Sequence, residues 1–179
     1  MSKFEKFGST LCPEIENIVP VTPPRENLSA FTDFYLKPLS QALPSFIKDT
    51  AHLLQKISEL NDTGPFPDGT LLVSWHVVAI FPNIDNDLGL LAVTQALNSR
   101  PNQFPSTESC IVEAVKICLA HNNSSFGKEH YLQIHGTAMG PKNACSYADL
   151  AIGIIDERAK LNLIYGGVTG TIFSISGHR

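Results

Sequence analysis

At 179 residues, 43% hydrophobic and 17% charged, the chain is long enough for one sizeable core and has a globular rather than a disordered composition. Lys and Arg number 13 against 17 Asp and Glu, a formal charge of −4, which excludes a general attraction for a phosphate backbone and leaves room only for a local nucleic-acid patch. No segment approaches the roughly 18 apolar residues of a membrane span. The first twenty residues carry neither an uninterrupted apolar core nor a small-residue cleavage signal, so an intracellular, soluble protein with no membrane partner is expected, nucleus or cytoplasm being left open.

Residues 1–27 are rich in Pro, Glu and Asn, and Pro20, Pro23 and Pro24 bar a continuous helix, so this stretch reads as an irregular lead-in. From Leu28, LSAFTDFYLKPLSQAL carries apolar residues at helical spacing, interrupted at Pro38. A second helix, PSFIKDTAHLLQKISEL, is expected to open at Pro44 and Ser45. The turn cluster NDTGPFPDGT delivers the chain into LLVSWHVVAIF, whose β-branched and aromatic content predicts a strand buried on both faces. Asp85 reads as the N-cap of a helix reaching about Leu97, and a further helix is expected over Ser106–His121 on the apolar stripe Ile111, Val112, Val115, Ile117, Cys118 and Leu119.

NNSSFGKEH then reads as a turn and HYLQIH as a short strand. GTAMGP breaks that strand before NACSYADLAIGIIDERAKL, a helix with small residues on one side. The order predicts an α+β fold, a central short antiparallel sheet with packed helices, with the His76 strand at its centre. Cys12, Cys110, Cys118 and Cys145 form no C-x-x-C pair and read as small core residues, and the six histidines are scattered, so no structural zinc site is expected.

Three blocks carry a resemblance: LSAFTDFYLKPLSQALPSFIKDT, LLVSWHVVAIFPNI and YLQIHGTAMGPKNACSYADLAIG. In that order and spacing they resemble the fingers and palm of the reverse transcriptases of Penelope-like retroelements, relatives of telomerase reverse transcriptase. The resemblance implies a partial right-hand polymerase fold over residues 28–161, with RNA-templated DNA synthesis as the ancestral reaction. Its implied partners are an RNA template, a primer and deoxynucleoside triphosphates, weakly held or lost here.

The family places an aspartate in the first palm block and an aromatic five residues later; here those positions are His76 and Phe81. Nucleotidyl transfer uses two Mg²⁺ ions that carboxylate oxygens hold. A neutral imidazole offers one nitrogen and cannot bridge two cations. His76, the substituted catalytic position, is therefore expected to be a failed ligand, with no metal bound. Without the resemblance, His76 is simply a core histidine. Phe81 corresponds to the residue that blocks a ribose 2′-hydroxyl in the family, and it also suits a core aromatic at a strand end. Asp85 and Asp87 suit a helix cap better than replacement ligands.

The second palm block brackets Thr137, Ala138 and Met139 between Gly136 and Gly140. The resemblance implies that this backbone approaches the nascent base pair and that Lys142 touches a phosphate, while Gln133 and His135 flank the loop, either one a candidate nucleotide contact. On its own the spacing is a strand-to-helix turn. Where the family carries an arginine for the triphosphate, this chain reads Glu16, Asn17, Ile18, Val19.

The family's Tyr-x-Asp-Asp hairpin should follow the last helix, yet the tail reads NLIYGGVTGTIFSISGHR, without an acidic pair. Back-translated with permitted codons, Tyr165–Arg179 can be read two bases on as WWRYRDDIFDLWTQ, which restores two aspartates. Residues 162–179 are accordingly expected to be an out-of-frame tail, any strand over Thr171–Ser176 to pack poorly, and the thumb and GIY-YIG type endonuclease to be lost. The expectation is a truncated, inactive reverse-transcriptase fragment. A non-catalytic RNA or RNA·DNA binding module and an unrelated soluble α+β interaction protein are the alternatives.

Overall fold

The computed structural model describes residues 4–6, 19–20, 26–62, 64–65, 77–100, 105–126 and 128–165. The first helix, α1 (Glu26–Gln41), buries Ser29, Thr32, Leu36 and Ser40, one stripe at helical spacing. Its hydroxyls are satisfied within the helix: Thr32 Oγ1 donates to the Leu28 and Ser29 carbonyls at 3.2 and 3.0 Å, and Ser40 Oγ to the Lys37 carbonyl at 3.0 Å. A small, internally satisfied face lets another helix approach closely. Pro38 does not interrupt α1 as its sequence suggests; it lies exposed, where water can replace the lost N–H bond.

The second helix, α2 (Thr50–Asn61), starts several residues later than Pro44 and Ser45 indicate. Ser45 and Ile47 are buried in the connection instead. Asp49, with extended backbone, caps α2 by accepting the His52 N–H at 2.8 Å. No residue of α2 is buried.

After Val77 the chain turns and forms α3, the single turn Ile80–Asn83. The strand expected to run through Phe81 therefore does not extend over 77–81, and its earlier part, His76 included, lies outside the described residues. Asp85 caps α4 (Asn86–Asn98) as its sequence indicates, accepting the Leu88 N–H at 2.9 Å. Then follow α5 (Pro105–Ala120) and, after a hairpin, α6 (Ala144–Tyr165). The last helix carries its backbone through residues 162–165, past the boundary set for the tail.

Among the described residues the sheet has four antiparallel strands: β1 (Phe4–Lys6), β2 (Val19–Pro20), β3 (Asn122–Phe126) and β4 (Glu129–Gln133), in the order β1-β4-β3-β2. Its centre is the β3–β4 hairpin, in which Asn122 faces Gln133 and Phe126 faces Glu129. That corrects two expectations. NNSSF is a strand, because Asn122 and Ser124 sit on its buried side despite their polarity. The lead-in supplies both edge strands, too short to carry a period of their own.

The α+β class stands, with the core among the helices. Leu36 of α1, Val93 and Leu97 of α4, Ile111 and Val115 of α5, and Tyr147, Leu150 and Ala151 of α6 are all buried together. Gly89 of α4 leaves the space in which the Tyr147 ring lies; a Cβ there would fall on the phenol. Of the cysteines, Cys118 is buried and Cys145 half-buried, while Cys110, expected inside, is exposed. Its neighbours Glu113 and Ile117 are exposed as well, so the helix turns this edge to solvent.

Candidate functional site

Of the three blocks that carry the resemblance, the described parts of the second and third meet. Asn83 ties off the turn before α3: its Nδ2 donates to the Val78 and Ala79 carbonyls at 3.1 and 2.9 Å. This leaves the Phe81 and Pro82 carbonyls pointing to the loop between β4 and α6, residues 134–143. The Thr137 N–H donates to the Phe81 carbonyl at 2.9 Å, and His135 Nδ1 lies 3.2 Å from the Pro82 carbonyl oxygen.

Gly136 makes that approach possible. Its φ is +70°, and a Cβ there would fall on the Phe81 carbonyl oxygen and within 2.8 Å of Pro82 Cα. Any side chain would prise the two segments apart. Gln133, at the end of β4, organises the loop from within: Nε2 donates to the His135 and Thr137 carbonyls at 2.8 and 3.1 Å.

The far side of the loop rests on α1. The Lys142 N–H donates to Ser29 Oγ at 3.4 Å, and Lys142 Nζ lies 3.5 Å from Glu26 Oε1. Both charged side chains are more than half exposed, so this pair contributes little to stability. One turn into α6, Ser146 Oγ donates to Asp33 Oδ1 at 2.6 Å. Burial, and then the carboxylates of Asp149 and Asp33, push the Cys145 thiol up. It is held as a thiol and is not an activated nucleophile.

The sequence-expected residues thus fall into distinct environments. Phe81 is half-buried and packs against the helical core. Gly136 is buried in the contact, whereas Gly140 stands exposed at the loop tip beside Met139, itself 67% exposed. Gln133 is buried, with its amide nitrogen donating to two carbonyls of the loop. It also borders a cleft of about 270 Å³ whose walls include Asn86, Leu90, Leu119 and Ile134. Lys142 is exposed but ion-paired. His76, Glu16, Asn17, Ile18 and Thr171–Ser176 lie outside the described residues.

Among the described residues, no group of three His, Cys, Asp or Glu side chains could hold a metal ion. Asp85 is engaged in its cap and Asp33 with Ser146. No described helix is long and apolar enough to cross a membrane. Sequence reasoning misses Ala79 and Asn83, which shape the turn: no local pattern marks an alanine as left-handed, and Asn83 falls between the strand expected to end at Phe81 and the cap at Asp85. No family model, no curated protein and no solved structure matches this chain.

Proposed function

We propose that the chain is a degenerate reverse-transcriptase domain of the Penelope-like kind, retaining part of the fingers and palm without polymerase activity. One observation carries the reading furthest: the Thr137 N–H on the Phe81 carbonyl, with Gly136 pressed against Pro82. Under this reading the two palm blocks flank one nucleotide site and have to be spatial neighbours. Residues more than fifty positions apart are neighbours here, through backbone contacts that only glycine permits.

Inactivity rests on His76, an imidazole where the ancestral chemistry needs a carboxylate to bridge two cations. Primer extension with Mg²⁺ tests it on the unmodified protein and His76→Asp, each with and without the restored downstream frame. Extension is expected only when both the aspartate and the Asp-Asp frame are present. Activity in the unmodified protein overturns the reading. Separately, an encoding nucleotide sequence with no Asp-Asp motif in another frame under Tyr165–Arg179 sinks the frameshift.

A role by occupancy, as an RNA or RNA·DNA binding module, is disfavoured by the net charge of −4 and by the pairing of Lys142 with Glu26. Filter binding across ionic strength separates the two readings. Micromolar or tighter RNA affinity that falls steeply with salt supports occupancy, and absence of binding at every salt concentration removes it.

A further inference from the structure

Residues 77–81 read Val-Val-Ala-Ile-Phe, and β-branched and aromatic side chains of this kind favour extended backbone. The chain instead turns at Val78 and Ala79 and winds Ile80–Asn83 into a single helical turn. Two features of that conformation are unfavourable in themselves. Ala79 adopts φ 48° and ψ 56°, the left-handed region in which a Cβ crowds the following carbonyl. Val77 and Val78 are left 53% and 73% exposed, apolar surface that an extended strand could bury.

What holds the turn is a set of hydrogen bonds, some within it and some from across the molecule. The Ile84 N–H closes it on the Ile80 carbonyl at 3.1 Å, and Asn83 Nδ2 satisfies the carbonyls of Val78 and Ala79. The rest of the grip comes from across the molecule. Thr137 N–H and the His135 ring reach the Phe81 and Pro82 carbonyls, with Gly136 admitting the close approach. Local preference points one way and the clasp the other. Such a conflict between levels marks a strained segment, one whose conformation the rest of the fold imposes.

We infer that residues 77–83 form a two-state segment, helical turn or extended strand, and that the Gly136 loop selects the helical turn by clasping the Phe81 and Pro82 backbone. This does not depend on the reverse-transcriptase reading.

Amide hydrogen exchange and chemical shifts, measured by NMR on the full chain, provide the test. The reporters are Ile84 N–H, bonded within the turn, and Thr137 N–H, bonded across the clasp. Ala79→Gly removes the left-handed penalty and is expected to slow exchange at both reporters about fivefold. Ala79→Val, and independently Gly136→Ala, are expected to speed both about tenfold or more, moving the shifts of residues 80–83 toward extended values and leaving core amides of α5 such as Val115 unchanged. The inference is overturned if the two reporters respond independently, if Ala79→Gly has no effect, or if the shifts move to coil values. It is equally overturned if Val115 accelerates in step with the reporters. Since Ala79→Gly relieves strain, one arm of the test uses a variant that folds at least as well as the parent.

Discussion

Tyr147 fills the centre of the helical core at 1% exposure, yet its hydroxyl is buried without a hydrogen-bond partner. Desolvation, with the Asp85 and Asp87 carboxylates adding to it, pushes the phenol up. An orphaned buried hydroxyl costs desolvation with nothing returned. Tyr147→Phe is therefore expected to match the parent at neutral pH or exceed it by about 1 kcal/mol in urea unfolding. The pH dependence follows from the direction of the shift. The folded state holds the phenolic proton more tightly than the unfolded chain, whose tyrosine titrates near its ordinary value of about 10. The stability tied to that proton is thus fully present below pH ~10 and drains away as pH rises. Tyr147→Phe should flatten the stability profile there; superposable alkaline profiles would show that the hydroxyl is not buried as described.

Two aspartates perform the same capping chemistry on unequal elements. Asp49 accepts the His52 N–H at 2.8 Å ahead of α2, and Asp85 the Leu88 N–H at 2.9 Å ahead of α4. Replacing either with alanine removes about 1 kcal/mol of helix stability. α2 buries nothing, whereas α4 contributes Ala92, Val93 and Leu97 to the core. Asp85→Ala is thus expected to lower the global unfolding free energy by about that amount. Asp49→Ala should leave the global transition in place and accelerate exchange only within α2. Equal global losses would mean that α2 is part of the cooperative core.

The same comparison explains what was legible. Asp85 and the helix after it follow from a strong cap and a buried stripe. The true start of α2 is hidden because Pro44 and Ser45 imitate an entrance while Ser45 and Ile47 are drawn inside. Residues 77–81 carry strand propensity that tertiary contacts override. The polar run NNSSF hides a strand whose pairing, more than its composition, defines it. At the site, Gly136 reads from the sequence as a strand-to-helix turn, whereas its close approach to the Phe81 and Pro82 backbone is not legible, because the two segments lie more than fifty residues apart and neither marks the other. The part Gln133 plays in holding the loop was not legible, because composition does not show that its amide nitrogen bonds the His135 and Thr137 carbonyls.

For the molecule as a whole, the helical surface carries more apolar area than its packing uses. Phe34 of α1 is 75% exposed, Phe31 40%, and Leu54 and Ile57 of α2 are 62% and 40% exposed. A net charge of −4 over 179 residues supplies only modest repulsion between copies, and exposed apolar side chains in number favour association. Concentration-dependent self-association is therefore expected in sedimentation velocity, strengthened by sulfate, which drives apolar burial, and little altered by sodium chloride. The variant Phe34→Gln with Leu54→Gln removes two of the most exposed contributors. Neither belongs to the buried core cluster, so the unfolding free energy should change by about 1 kcal/mol or less, most of it from the lost edge contact of Phe34 with Tyr35. Association should weaken while that stability holds. A variant that loses several kcal/mol instead would place these side chains in a packed interior, and one that associates as strongly as the parent would move the sticky surface elsewhere.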